Sequence, residues 1–283
     1  MSVNTNTGAM AALQALNSTS KGLATVQSRI NSGMNVSSTK DDSAAFTIAE
    51  KLRGDLGGLK AVTSSLSRAK SVTDVAVAGA EQISDVVNQM KTLAKQASDS
   101  GVDQASRDAY NKDFTALRDQ ITTIVNSSEF NGTNLLKASG GTISALQSLG
   151  SVSSGGAYTA DTLTVANQNM SLATTATAGK LDTASTISTA AAATTMVGTL
   201  DALGKDVNTK LSNLGSASRK IDAQTAFASK LSDAIEGGIG NLVDADLAKE
   251  SAKLQALQVK QQLGVQALSI ANQAPQTVTS LFR

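Results

Sequence analysis

The chain has 283 residues, 41% of them hydrophobic, 17% charged and 2% aromatic, with a formal net charge of +1. That length supports one or two domains with a true core. The near-neutral balance argues against a nucleic-acid surface, and so few aromatic rings leave little for bases or sugars to stack on. There is no Cys, no His, no Trp and a single Pro. This excludes zinc, copper, haem and iron–sulfur sites of the usual kinds, and any Cys- or His-based triad. No cofactor and no metal site are expected.

Residues 1 to 20 carry no charged side chain and lack both a basic n-region and a compact apolar h-region, so no cleaved signal peptide is expected. Ala9, Leu13, Leu16, Ser20, Leu23, Gln27 and Ile30 recur with 4-3-4-3-4-3 spacing, which predicts a first helix. NSGMNVSSTKDD, with Gly33, reads as a break. Thr39 with Asp42 three residues on, or Asp41 itself, is placed to cap a second helix. This second helix is predicted over residues 42 to 98, along Ala45, Ile48, Leu52, Leu59, Val62, Leu66, Ala69, Thr73, Ala76, Ala80, Ile83, Val87, Met90, Ala94 and Ala97. It would be about 85 Å long, a length suited to coiled-coil bundles and fibres.

DSGVDQAS is a turn. A shorter amphipathic helix follows on Tyr110, Phe114, Leu117, Ile121 and Ile124, and Asn131-Gly132 marks a tight turn after it. From 138 to 195 the chain becomes rich in Gly, Ser, Thr and Ala. Only Tyr158 and the alternation Leu163-Thr164-Val165 point to a strand or hairpin. Helix returns near 196 on Leu200, Leu203, Val207, Leu211, Leu214, Ser218 and Ile221, continues on Ala228, Leu231 and Ile235, and is interrupted at Gly237, Gly238 and Gly240. A last helix starts near Asp244 or Asp246, each placed as a cap. The order of helices is roughly palindromic, which implies that the two ends pair.

The last helix carries two apolar stripes on nearly opposite faces. One is Leu247, Leu254, Leu257, Gln261, Val265, Leu268 and Asn272; the other is Ala248, Ala252, Ala256, Val259, Leu263, Ala267, Ile270 and Ala274. One face suits the N-terminal helix, and the other needs a second partner. Residues 261 to 282 carry no charge, yet their many Gln and Asn side chains exclude a membrane span. The entropy of ordering this tail exceeds what its few large apolar side chains return on burial, so it requires neighbours. Gly264 reads either as a tolerated helical glycine, costing about 1 kcal/mol, or as a point of close helix approach, and Pro275 is expected to end or kink the helix near Ala274.

These readings give a mainly α protein. It is a long antiparallel coiled-coil bundle made by pairing N- and C-terminal segments, with a small β-hairpin-containing or irregular middle. The expected domains are 1–36 with 240–283, 37–137 with 196–239, and an exposed segment 138–195. The candidate polymer interface and core comprise Leu13, Leu16, Leu23, Ile30, Leu254, Leu257, Val259, Leu263, Val265, Leu268, Ile270 and Phe282. The paired carboxylates Asp41-Asp42 and Asp244 with Asp246 precede apolar-periodic runs, so they read as helix caps rather than an acid–base pair. No phosphate loop of Walker spacing is present, and no enzyme activity is expected. Ser151, Ser153, Ser154 and Thr159 are candidate O-glycosylation positions, against the plainer reading of a solvated loop.

Several stretches carry a resemblance to one family. SRINSG (28–33), TKDDSAA (39–45), SEFNGTNLL (128–136), DADLAKES (244–251) and QQLGVQALSIANQAPQTVTSLFR (261–283), in this order, resemble bacterial flagellin over nearly the whole chain outside the middle. The length and tail are most similar to the short flagellins of alphaproteobacteria. The resemblance implies an extracellular filament subunit serving motility, with a terminal coiled-coil domain and an outer-core helical domain. It also implies homopolymer neighbours, flagellar cap and hook-associated proteins, a cytoplasmic export chaperone and the type III export apparatus, with no nucleic acid and no membrane insertion. Gln89 and Thr92 stand where the family's innate-immune patch has Arg and Glu, which argues against recognition by that receptor. A hook–filament junction protein and a secreted glycan-binding adhesin are the alternatives.

Overall fold

The structure, a computed structural model, describes residues 5–152, 156–173 and 180–280, without the side chains of residues 152 and 274–280. Among the described residues run α1 (Thr7–Ser32), α2 (Ser43–Ser98), α3 (Gln104–Ser127), β1 (Ile143–Leu146), β2 (Ser151–Val152), β3 (Tyr158–Thr159), β4 (Thr162–Val165), α4 (Ala190–Val243) and α5 (Leu247–Ser280). The chain divides into two compact units, one of Met1–Leu56 with Asp233–Arg283 and the other of Gly57–Ser232.

The second unit is built on the long seam of α2. Leu59, Val62, Leu66, Ala69, Thr73, Ala76, Ala80, Ile83, Val87, Met90, Ala94 and Ala97 are all buried. From Val62 onward this seam shares one core with Phe114, Ile121 and Val125 of α3 and with Leu200, Val207, Leu214 and Ile221 of α4. The 3.6-residue period makes this possible, because it holds one apolar stripe in phase along each helix. Thr73 is accommodated at full burial because its hydroxyl donates to the Ala69 carbonyl at 2.8 Å. Two cross-links join α2 and α4 on the outside: Lys70 reaches Asp222 and Ser218, and Lys91 reaches Asp201.

Between α3 and α4 the chain runs along this core, adding Leu135, Leu136, Met170, Leu181 and Ile187 to it. Asn131 (φ 50°) and Gly132 (φ 78°) form the tight turn, bracketed by paired backbone bonds between Phe130 and Thr133; the mirror-image turn needs positive φ at both central positions. β1 pairs antiparallel with β4, and β2 with β3, so one hairpin is nested inside the other. Ala145 of β1 and Val165 of β4 turn into the core. Helix α4 begins at Ala190, earlier than expected, with Ile187 and Ala193 already in the core.

Two buried polar residues hold the connections. The Arg107 guanidinium donates to the carbonyls of Ala97, Asp99 and Val102 at 2.9–3.0 Å, satisfying orphan acceptors in the last turn of α2 and in the loop after it. The Asn134 amide donates to the Val125 carbonyl, and its oxygen accepts from the amides of Leu136 and Lys137.

The first unit holds α1, the start of α2, the end of α4 and α5. Gly33, at φ 69°, ends α1 in the left-handed conformation that favours glycine. The two breaks then bond to each other: Asn35 and Val36 donate to the Val243 carbonyl, and Ala245 donates to that of Gly33. Val36, Ala49 and Val243 form a small core with Ala45, Phe46, Ile239 and Leu242 around it. Ala49 takes the inward place that periodicity assigns to Ile48, which is exposed.

Two expectations fail here. Gly237, Gly238 and Gly240 do not interrupt α4, which runs to Val243. A helical Gly costs only about 1 kcal/mol, and burial of Val243 with its neighbours offsets that. Of the two alternatives for Pro275, an end or a kink, the end is overturned, because α5 continues to Ser280; a proline removes one helical donor without preventing those after it from bonding.

Gly79 is where the turn after α3 meets α2. A Cβ there would lie 2.2 Å from Ser128 Oγ and 2.9 Å from Leu136 Cδ1. Gly198 in α4 has nothing within 4 Å of the same position. Gly79→Ala is therefore expected to lower stability by about 1–3 kcal/mol through overpacking, while Gly198→Ala raises it by up to about 1 kcal/mol through helix propensity. Urea unfolding of both variants checks the opposite signs.

Candidate assembly surface

Helices α1 and α5 pair antiparallel. Asn6 meets Ala271, Leu16 meets Gly264, Leu257 meets Gly22, and Arg29 meets Glu250. Small residues let the helices approach: a Cβ on Gly264 would lie 3.4 Å from Leu16 Cδ1, and one on Gly22 would lie 3.6 Å from Leu257. On α5 the inward stripe runs through Glu250, Leu254, Leu257, Gln261, Gly264, Leu268 and Ala271, all half-buried or buried. On α1 the seam runs through Ala9, Ala12, Leu16, Thr19, Leu23, Val26 and Ile30, with Val26 buried and the others half-buried.

The α1 seam keeps Ala9, Leu16, Leu23 and Ile30 of the sequence reading and corrects the positions between them. Leu13 and Gln27 are exposed, and Ala12 and Val26 take their places. Size drew the expectation toward Leu13, whereas the close approach of the helices accommodates the smaller Ala12.

The other apolar stripe of α5 is open to solvent. Met10, Leu13, Leu247, Val259, Leu263, Val265 and Ile270 are between 48% and 69% exposed. Val259, Leu263 and Ile270 lie on the face opposite the inward stripe, while Val265 and Leu13 lie on flanks of the pair. Phe282 lies outside the described residues.

Charge enters the pair once on each helix. Glu250 is 4% exposed, beside Arg29 at 3.9 Å and Lys253 one turn along. Glu250 Oε2 and Arg29 Nε have no hydrogen-bond partner among the described residues. A buried pair of this kind adds little stability but opposes any register that would separate its members.

The expected caps divide by role. Asp42 Oδ1 accepts from the amides of Ala44 and Ala45, and Asp246 Oδ1 from those of Ala248 and Lys249, so these two begin α2 and α5. Asp41 instead ties the preceding loop, its Oδ2 accepting from the amides and hydroxyls of Ser37 and Ser38. Thr39 and Asp244 cap neither helix; Asp244 bridges to Met34. Sequence reasoning missed Asn6, Arg29, Glu250, Arg107 and Asn134. Asn6 had a readable signal, a capping residue type directly before a periodic run. Ser151 and Thr159 are exposed partners across the β2–β3 pair, and Ser153 and Ser154 lie outside the described residues. Gln89 and Thr92 are exposed on α2. Among the described residues no group of acidic side chains is placed to hold a metal ion, and no helix is long and apolar enough to cross a membrane.

The fold and this surface define a class: an α-helical structural protein whose two ends pair and leave one apolar stripe open. The bacterial flagellin N-terminal helical region matches residues 3–141, and the bacterial flagellin C-terminal helical region matches 197–282. Flagellin FljM of Caulobacter vibrioides is 46% identical over 100% of this chain and 98% of its own length. Flagellin FljK of the same organism is 44% identical with the same coverage. A flagellin of Brucella melitensis is 36% identical over 100% of this chain and 99% of its own. The chain belongs to the bacterial flagellin family, and its role is that of a structural subunit of the filament. A junction protein and a glycan-binding adhesin are not favoured.

The hydrogen bonds from Ser37 and Ser38 hold the Asp41 carboxyl below its ordinary value of 3.8. The ionised form is the one that ties the loop. Its contribution is therefore full above the ordinary carboxylate value and is lost as pH falls through the lowered one. An NMR titration of the native chain is expected to place the Asp41 midpoint below 3.8; a midpoint at or above that value contradicts the arrangement.

Proposed function

We propose that assembly proceeds by burial of the open stripe of α5 against further copies of this chain, with both terminal segments becoming fully ordered only in the polymer. The observation that carries this is the solvent exposure of Val259, Leu263 and Ile270 on a helix whose opposite face is already paired. A stripe of aliphatic side chains gains from leaving water at roughly 25 cal/mol per Å². Neighbouring copies bring stripes of the same chemistry and desolvate no charge along this face, since residues 261–282 have none.

On this reading the interface and core of the polymer draw on Leu13, Leu16, Leu23, Ile30, Leu254, Leu257, Val259, Leu263, Val265, Leu268, Ile270 and Phe282. Residues 1–36 with 240–283 serve as the inner, channel-lining domain, residues 37–137 with 196–239 as the outer-core domain, and residues 138–195 as the exposed segment. The subunit passes unfolded through the type III export apparatus after protection by a cytoplasmic chaperone. It joins the extracellular filament beneath a cap protein, above hook-associated proteins. The chain acts as a structural element rather than an enzyme, and family membership supports that role.

Leu263→Asp and Leu257→Asp separate the two faces. Leu263 is 58% exposed in the single chain, so its substitution is expected to change monomer stability by less than about 0.5 kcal/mol. In the polymer it buries an unpaired charge at a cost of several kcal/mol and blocks assembly. Leu257→Asp disturbs the α1–α5 pair itself and is expected to lower both monomer helicity and assembly. Sedimentation of polymer together with circular dichroism of monomer reads both. Filament formation by Leu263→Asp at the wild-type critical concentration would sink the proposal.

A further inference from the structure

Pro275 stands inside α5, which is helical from Leu247 to Ser280. In an α-helix the amide of residue i donates to the carbonyl of residue i−4. Proline has no amide hydrogen, so the Ala271 carbonyl lacks its regular donor. That carbonyl is the one reached from the other end of the chain: Asn6 Nδ2 donates to Ala271 O at 2.7 Å. The same Asn6 side chain is the N-cap of α1, its Oδ1 accepting from the Ala9 amide at 3.0 Å.

We infer that Asn6 and Pro275 form a matched register lock, with Asn6 the positioning residue that sets how α1 and α5 meet in the assembling subunit. The assembly consequence rests on the proposed function; the lock itself is a property of the single chain. Pro275 creates an acceptor at one place along α5, and Asn6, at the start of α1, fills it. The chemistry selects Asn. It carries an acceptor and a donor on one short planar group, so it serves both helices at once. Asp keeps the cap and loses the donor, and Ser keeps a cap but lacks the reach.

The packing explains why such a lock is needed. The α1 seam contains Ala9, Ala12 and Thr19, and the α5 stripe contains Gln261, Gly264 and Ala271, so apolar knobs alone specify the alignment weakly. A slip by one heptad would return similar residue types to the seam, since its period is unchanged. It would also separate Asn6 from Ala271 and Arg29 from Glu250, leaving the Ala271 carbonyl without its donor at one end of the pair and Arg29 without its carboxylate at the other. The open stripe of α5 would then be displaced along the axis relative to α1, and a neighbouring copy would meet a different surface.

A double-mutant cycle on the full-length chain tests this. Asn6→Asp removes the donor and keeps the cap. Pro275→Ala restores the helical donor to Ala271. Two readouts are taken for wild type, both single variants and the double variant: the thermal midpoint of monomer helicity and the critical concentration for sedimentable polymer. Asn6→Asp is expected to lower the midpoint and to raise the critical concentration about tenfold when Pro275 is present. In the Pro275→Ala background the penalty should shrink to about twofold or less, because the acceptor no longer depends on Asn6. An equal penalty in both backgrounds would show that the Asn6 donor acts independently of Pro275 and overturn the inference; no penalty in either would reduce Asn6 to an ordinary cap and overturn it as well. If the wild-type chain forms no sedimentable polymer, the proposed function fails, and the same cycle in the monomer midpoint still decides the lock.

Discussion

The antiparallel pairing of α1 with α5 is the constraint on which the functional surface depends. Joining the two ends of the chain uses one stripe of α5 and leaves the other in water. It also brings the two breaks together, so that Gly33, Asn35, Val36, Val243 and Ala245 satisfy one another's backbone groups. Without this pairing neither end has enough apolar contact to offset its ordering entropy. With it, the chain gains a defined apolar surface whose remaining burial has to come from outside.

Stability and specificity are handled by different residues in this pair. Small side chains, such as Gly22 and Gly264, give close approach but little information about alignment. The polar contacts supply that information: Asn6 with Ala271 near the start of α1, and Arg29 with Glu250 near its end. Neither is a strong source of net stability, since each group was well solvated before folding. Their effect is to make misaligned pairings costly. A subunit that adds to a regular polymer needs this, because an error in one pair would be passed on to its neighbours.

Much of this was legible in the sequence. The α2 seam from Leu59 to Ala97 comes directly from period, and so do the α4 seam, the Asn131-Gly132 turn and the pairing of the ends. Where sequence reasoning failed, local signals were overridden by packing. Gly237, Gly238 and Gly240 looked like a break, but the small cluster around Val36, Ala49 and Val243 holds that helix together. Pro275 looked like an end, because helix rules consider the missing donor and not a partner from another helix. Leu13 was misplaced in the α1 seam because it outweighs Ala12 in hydrophobicity, while the geometry favours the smaller residue. Arg107 and Glu250 were invisible as buried groups, since charge predicts exposure unless the partners are known.

A cryo-electron-microscopy reconstruction of polymer grown from the purified full-length chain tests the central claim most directly. The account predicts that Val259, Leu263 and Ile270 are covered by neighbouring copies, while α1 and α5 of each subunit keep Asn6 against Ala271. A polymer in which that face of α5 stays open to solvent, with other surfaces making the contacts between subunits, would contradict it.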